Sequence, residues 1–358
     1  MENRHNAWDL KQMQSLPLEA KIRMTQQRIQ AWYDSWTRFE IVNEATGKTR
    51  YETIDTRDYM AEPKLKESEY IVSAIPGQVY VAFSGGKDST VLKHIVDQMY
   101  DDVPSLFVNT GLEYPEIQKF AMSQKNVVAV RPKMRFDEVI KKYGYPMISK
   151  AVSHNVNIAR RHPDGRVAHN CFDPSKTGRF KMDQWAYLID APFDIGDKCC
   201  QIMKKDPSKK YSKETGRMPL LGTMAEESAL RYSNWLKHGC NSFEGANPTS
   251  QPMSFWTEQD VLEYIRRYGI PYCEVYGDIV ETKDGLKTTG CDRTGCIFCG
   301  FGCHLEKNPN RFQRDKKTHP RQYEYCIGGG ETVDGKWQPS KEGLGLGKVL
   351  DYIGVKYE

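Results

Sequence analysis

The chain contains no run approaching the roughly 18 apolar residues that a membrane-spanning helix needs, so no membrane partner is expected. Its first residues, Met1-Glu2-Asn3-Arg4-His5-Asn6, lack the apolar stretch of a secretory signal, and the expected location is cytoplasmic. An excess of one charge is missing too: 51 Lys and Arg face 47 Asp and Glu, for a net charge of +4. So even a balance does not by itself mark a nucleic-acid-binding protein. There is no internal repeat and no long low-complexity tract. With 39% hydrophobic and 27% charged residues, the composition excludes wholesale disorder. The 358 residues suit about two domains, or one large α/β domain with appendages. Cysteine is the residue in unexpected supply. In a reducing compartment, ten cysteines are expected to be free, metal-bound or catalytic rather than disulfide-bonded.

Periodicity organises the chain. Ile22, Ile29, Trp32 and Trp36 predict a helix over 16–36, and the polar stretch 40–76 reads as an irregular connector. Gln78 to Phe83 reads as a buried strand and runs directly into Ser84-Gly85-Gly86-Lys87-Asp88-Ser89-Thr90. Leu92, Ile95, Val96 and Met99 continue at helical spacing. A strand over 105–109, a helix over 114–123 and a strand over 126–130 follow, an alternation that predicts βαβ units and a parallel sheet. Residues 151–218 read as basic and loop-rich with short helices, and Pro219 to Gly222 as a further strand. Thr257, with Asp260 three residues on, predicts a helix start. Gly343 to Gly347 reads as a turn before a small terminal helix carrying Val349, Leu350 and Ile353. The expected organisation is a helix and connector over 1–75, a nucleotide-binding domain over 76–275 and a cysteine-rich region over 276–358.

The glycine segment is the most informative local signal. Two glycines after a strand let the backbone turn tightly and present its N–H groups to an anion, and the following helix adds its positive dipole end. Ser84, Ser89 and Thr90 add hydroxyls, Lys87 a point charge for phosphate, and Asp88 a carboxylate for Mg²⁺. A Walker A loop needs Gly and Ser or Thr where this chain has Val81 and Asp88, which argues against a kinase or GTPase. A plain strand–turn–helix connection is the bland alternative.

Four thiols then fall within thirteen positions: Cys291, Cys296, Cys299 and Cys303. The two-residue gap between Cys296 and Cys299 lets both sulfurs reach one metal centre. Zn²⁺ and a [4Fe–4S] cluster both accept four thiolates, so spacing alone leaves the choice open. The pair Cys199-Cys200 lies far upstream; taken alone, it reads as two buried small hydrophobes. The basic pairs Lys141-Lys142, Arg160-Arg161, Lys204-Lys205, Lys209-Lys210, Arg266-Arg267 and Lys316-Lys317 could line a nucleic-acid path, although scattered solvated charge is the simpler reading.

Ser84-Gly85-Gly86-Lys87-Asp88-Ser89 resembles the pyrophosphatase loop (PP-loop) of the adenine nucleotide α-hydrolase-like superfamily. Three later segments narrow the resemblance to the phosphoadenosine phosphosulfate (PAPS) reductase family, in its cluster-bearing branch. They are Asn109-Thr110-Gly111-Leu112-Glu113-Tyr114-Pro115-Glu116, Lys198-Cys199-Cys200 followed by Lys204-Lys205-Asp206-Pro207, and Leu221-Gly222-Thr223-Met224-Ala225-Glu226-Glu227-Ser228 with Arg231. The resemblance implies an α/β fold: a Rossmann-like parallel sheet, here with an N-terminal helical extension and a cysteine-rich C-terminal lobe. It implies that Ser84, Gly85, Gly86, Lys87, Asp88 and Ser89 cradle the phosphates of ATP or PAPS, that Thr110 and Glu113 flank the nucleotide, and that Arg231 contacts phosphate or sulfate. Without those motifs Glu227 and Arg231 read as an i,i+4 pair on a solvated helix face.

In the cluster-bearing branch a Cys-Cys pair and a later Cys-x2-Cys hold one [4Fe–4S] cluster. Six thiols compete here for four positions, and the expected ligands are Cys200, Cys291, Cys296 and Cys299, with Cys199 and Cys303 as substitutes and zinc as the alternative metal. The family's reductases use a thiol in a C-terminal Glu-Cys-Gly-x-His segment. The nearest segment here, Glu324-Tyr325-Cys326-Ile327-Gly328, departs from it. The expectation is therefore sulfur transfer through an adenylated intermediate, with Lys87, Asp88 and Arg231 as catalytic residues. A sulfur donor protein or thioredoxin is the possible partner, and a nucleic acid a possible acceptor. Thiol-dependent sulfonucleotide reduction and a nucleotide-binding module without turnover stand as alternatives.

Overall fold

Val79-Tyr80-Val81-Ala82-Phe83 is apolar on both faces and nearly solvent-free, the pattern of a strand covered by helices on each side. In the computed structural model, which describes residues 3–57, 61–178, 181–245 and 247–358, this strand is central to a six-stranded sheet. Ser105–Val108 and then Val127–Val130 lie on one side of it, and Met218–Leu221, Thr249–Ser250 and Asn241–Ser242 on the other. The first five pair in parallel and only the last is antiparallel. Register is set by Val81 opposite Ser105 on one flank and opposite Leu220 on the other. The chain thus winds outward in both directions from Val79–Phe83. In open parallel sheets, ligands bind outside the carboxyl end of the strand where this reversal occurs. Ser84 begins there.

The chain divides into two compact units: residues 1–109, 114–130 and 208–294, and residues 110–113, 131–207 and 295–358. The sheet belongs to the first. Its helix Lys87–Asp97 buries Val91, Leu92, Ile95 and Val96 and packs against helices Leu18–Asp34 and Glu258–Tyr268. Thr257 caps the last of these through a reciprocal box with Asp260, as its spacing predicts. Asp260 also holds the buried Lys21 ammonium at 2.6 Å, which ties the N-terminal helix to the core.

The N-terminal extension is only partly helical. Ala7–Gln14 and Leu18–Asp34 are helices, but Trp36 opens a strand, and the segment read as an irregular connector forms a three-stranded antiparallel sheet. Trp36–Asn43 lies between Thr49–Asp55 and Glu69–Ile75. The alternation Arg38-Phe39-Glu40-Ile41 is the strand signal behind this correction. It is weak because this sheet is mostly solvent-facing, with Ile41 and Trp36 its buried anchors.

The second unit is mainly helical, with helices Phe136–Tyr143, Lys150–Arg161, Arg311–Thr318, Pro320–Ile327 and Leu346–Tyr352. A two-residue parallel pair joins Met147–Ile148 to Gly300–Phe301. Its core includes Tyr145, Val156, Phe193, Met203, Phe312 and Leu350. Among the described residues, no helix is long and apolar enough to cross a membrane.

Candidate active site

Gly85 has φ +74°, a left-handed conformation that glycine adopts freely, and a Cβ there would press within 3.1 Å of the Ile117 carbonyl. Gly86 sits in a cup of hydroxyls: a Cβ at this position would lie 3.1 Å from Tyr276 Oη and 3.2 Å from both Ser84 Oγ and Thr294 Oγ1. Ser89 Oγ accepts the Ser84 N–H at 3.1 Å and lies 3.0 Å from Ser84 Oγ. The Lys87 N–H donates to Tyr276 Oη at 3.1 Å, and that hydroxyl shares a hydrogen with Thr294 Oγ1 at 2.7 Å. The loop thus gathers backbone amides and hydroxyls at a helix N-terminus, where the dipole favours negative charge, with the Ser84, Gly86 and Lys87 amides donating to Ser89, Ser84 and Tyr276 hydroxyls. Gly222, at the end of the neighbouring strand, lets the loop approach: a Cβ there would meet the Asp88 carbonyl at 3.0 Å.

Charge is concentrated on the same side. Lys87 Nζ lies 3.3 Å from Asp88 Oδ1 and 3.1 Å from Glu258 Oε1. Burial opposes its positive charge, but Asp88, Glu258 and Tyr276 outweigh burial and raise its pKa, so it stays an ammonium. Asp88 is pushed up, first by burial and then by Glu227 and Glu258, against the pull of Lys87. Its Oδ1 has an ion-pair contact with Lys87 but no well-formed hydrogen bond. Such a carboxylate gains from a cation. Arg231 is paired with Glu227, the i,i+4 contact that its spacing suggests, and Glu227 also holds Arg293 at 3.2 Å. Sequence reasoning did not single out Tyr276, Thr294 or Glu258, which come from the far end of this unit and carry no local motif.

Thr110 and Glu113 belong to the second unit and bond to each other. The Thr110 N–H and Oγ1 donate to the Glu113 carboxylate at 3.0 and 2.7 Å. The Ile297 N–H donates to the Leu112 carbonyl at 2.9 Å, which fixes the Cys296–Cys299 turn against this segment. Arg311 holds the other side of that turn, donating to the Cys299 carbonyl at 2.9 Å and to Glu306 at 2.6 Å.

Cys199, Cys200, Cys296 and Cys299 all lie in this second unit, within electrostatic reach of one another. Burial, then Cys296, Cys200 and Cys299, drives the Cys199 pKa strongly upward. Burial pushes Cys296 up to about 11, opposed by the Lys204 ammonium. Lys204 is itself raised by Cys296, against burial, and by Glu113. Among the described residues, no group of three or more His, Cys, Asp or Glu is drawn together closely enough to hold a metal ion. The donor set nonetheless suits a thiophilic metal: burial holds the Cys199, Cys296 and Cys299 thiols above their ordinary range, and a metal cation would supply the missing positive charge. Cys303 is buried and donates to the Gly300 carbonyl at 3.1 Å. Cys291 lies in the first unit, where its N–H donates to the Val275 carbonyl at 3.0 Å. Cys326 is wholly buried in helix Pro320–Ile327, which pushes its thiol far up.

Residues 78–300 match the phosphoadenosine phosphosulfate reductase domain. An uncharacterized protein of Methanocaldococcus jannaschii is 24% identical over 255 residues, which cover 68% of this chain and 45% of that protein. Sulfate adenylyltransferase subunit 2 of Hyphomonas neptunium is 25% identical over 202 residues, 54% of each chain. The chain spans about half the length of these curated relatives. With the match running from the central strand through the glycine loop to the thiol turn, the protein belongs to the phosphoadenosine phosphosulfate reductase domain family.

Proposed function

We propose that this chain is an adenine-nucleotide-dependent enzyme of sulfur chemistry that activates an acceptor by adenylation and then transfers sulfur to it. The observation that carries this reading is the hydroxyl-lined cup around Gly86, with the Lys87 ammonium beside it and a carboxylate pair flanking that ammonium. Amides of Ser84–Ser89 bind the phosphates of ATP, Lys87 neutralises charge on the departing pyrophosphate, and Asp88 holds Mg²⁺. An acceptor oxygen bonds to the α-phosphorus as the α–β bridging bond breaks and pyrophosphate leaves. A sulfur nucleophile then bonds to the atom bearing that oxygen, and AMP departs with the oxygen. Arg231, released from Glu227, is the second cation for the phosphates.

Cys200, Cys296 and Cys299 are the proposed ligands of a [4Fe–4S] cluster, with zinc as the alternative metal. Cys199 shares their unit, which favours it over Cys291 as the fourth ligand. With Cys200, Cys296 and Cys299 alone as ligands, one iron would stay open to hold sulfide; with Cys199 as the fourth, the cluster would be closed. The similarity to a sulfate adenylyltransferase subunit supports adenylyl chemistry. Reduction of a sulfonucleotide, with thioredoxin as electron donor, is the second reading and is supported by the family itself. It needs an accessible thiolate, and Cys326 is buried.

The test is incubation with ATP, Mg²⁺ and candidate acceptors. Release of pyrophosphate that disappears in Lys87→Met supports the proposal. Sulfite release from PAPS with thioredoxin supports reduction instead, and tight nucleotide binding with neither product identifies a binding module.

A further inference from the structure

Two cavities in the second unit are left unused by the nucleotide chemistry, and one stretch of chain connects them. The larger, about 730 Å³, is lined by Lys142, Asn157, Arg161, Lys198 and Lys336 among others. Asp190, Asp194 and Asp197 also face it, but Lys336 holds Asp194 at 2.9 Å, and Arg160 lies 3.6 Å from the same carboxylate. His154 faces Asp197 at 3.4 Å. Lys142, Arg161 and Lys198 are exposed, and no carboxylate among the described residues is within ion-pair distance of them. Arg161 donates only its Nε to the Asn157 carbonyl at 3.3 Å and Lys142 lies 5.4 Å over the Tyr143 ring, whereas Arg160 is spent on the carbonyls of Phe193, Leu188 and Ala191 at 2.6 to 2.9 Å.

The smaller cavity, about 520 Å³, is an open, mostly apolar slot. Trp185 and His304 stand edge to face in it at 5.2 Å, with Phe301 and Leu305 as further walls and Ser149, Lys150 and Gln184 at the rim. Leu305 is 77% exposed, and the buried Nδ1 of His304 has no partner among the described groups. Helix Lys150–Arg161 contributes its first residue to the slot and its last to the basic crevice. The turn Asp183–Asp190 runs alongside: Trp185 lines the slot, Tyr187 is exposed, and Ile189 and Asp190 line the crevice. Trp185, Tyr187 and Tyr352 follow one another with ring centroids 6.2 and 5.7 Å apart.

We propose that this face binds a single-stranded nucleic acid, its phosphates in the basic crevice and a base in the Trp185–His304 slot. Cations lining a crevice, beside a slot walled by the half-buried Trp185 and flanked by the exposed Tyr187, are what a flexible strand needs: electrostatic attraction for the backbone and a π-face for an unstacked base. A small inorganic anion would use the crevice and leave the slot empty, and a duplex would keep its bases stacked and out of reach. The proposal deepens the sulfur-transfer reading by naming the acceptor's class, and rests on that reading only for the strand's purpose.

The test is fluorescence anisotropy of the full chain, without ATP, against a labelled single-stranded oligoribonucleotide, its DNA counterpart and a DNA duplex. Either single strand is expected to bind more tightly than the duplex. Affinity should fall with salt at a logarithmic slope of about −2, as three phosphate contacts require. Trp185→Ala should weaken binding about tenfold, with Trp185→Phe restoring most of it. Lys142→Glu with Arg161→Glu, both on exposed side chains, should weaken binding further and flatten the salt dependence. Overturning results are an absence of binding, equal affinity for duplex and single strand, or affinity unmoved by both variants in protein whose melting temperature is unchanged. Absence of binding beside intact ATP-dependent pyrophosphate release sinks this inference alone. Strand binding by a protein that performs no nucleotide chemistry sinks the sulfur-transfer reading instead.

Discussion

The loop at 84–89 and the thiols at 199, 200, 296 and 299 are two regions built in opposite ways. The loop is supplied by one stretch of chain. Its strand, glycines and helix are contiguous, and its dipole and amides are fixed once that strand pairs with its neighbours. The thiols come from two distant segments, and what brings the second into place is a set of backbone anchors: Leu112 receiving the Ile297 N–H, and Arg311 gripping the Cys299 carbonyl. The first region is expected to tolerate changes in side chains outside 84–89 and to fail when the Lys87 ammonium is lost or its backbone is obstructed. The second is expected to fail when a sulfur or an anchor is removed.

The sharpest way to break that contrast is Cys296→Ser. It should abolish incorporation of iron or zinc, read by metal analysis after anaerobic purification, while leaving ATP affinity within about twofold because the loop needs no thiol. Equal loss of both would mean that the two regions are not separable. Gly85→Val should do the reverse. A branched side chain cannot take up φ +74° without strain and would press on the Ile117 carbonyl, so nucleotide affinity should fall by more than about a hundredfold with metal content retained.

Lys21→Met tests whether the loop's unit has its own stability. It leaves Asp260 without its buried cation and should cost about 3 kcal/mol in urea unfolding, within the range for breaking a buried pair. Arg311→Gln should cost less, about 1–2 kcal/mol for lost charge-assisted hydrogen bonds, and should speed the reaction of Cys299 with a thiol reagent in the metal-free protein, which a general loss of stability alone would not confine to that sulfur. Arg231→Ala is expected to be mildest. The Glu227 pair is part-exposed, so folding should change by less than about 1 kcal/mol, and any effect should appear as a few-fold rise in KM for the nucleotide.

The same contrast explains what could be read from the sequence. The parallel strands, the helix after the loop and the Thr257 cap follow from local periodicity and spacing, and the loop residues are contiguous. The antiparallel sheet over 36–75 was missed because few of its residues are buried, so the alternation that marks a strand is faint there. Tyr276, Thr294 and Glu258 reach the loop only through tertiary folding, and no spacing rule points to them. Lys204 stood in the sequence as half of a surface-looking basic pair. Its closeness to Cys296 and Glu113 arises from the turn that follows Cys199-Cys200. Arg160, half of a basic pair whose simpler reading is solvated surface charge, is instead a bracket for three carbonyls, whereas its neighbour Arg161 remains exposed.

Isothermal titration calorimetry with ATP and Mg²⁺ tests the central claim most directly. Saturable heat with a micromolar Kd, absent from Lys87→Met and Gly85→Val proteins that melt normally, is the expected result. No heat from ATP, PAPS or any other adenylate, or the same heat from wild type and both variants, would contradict it.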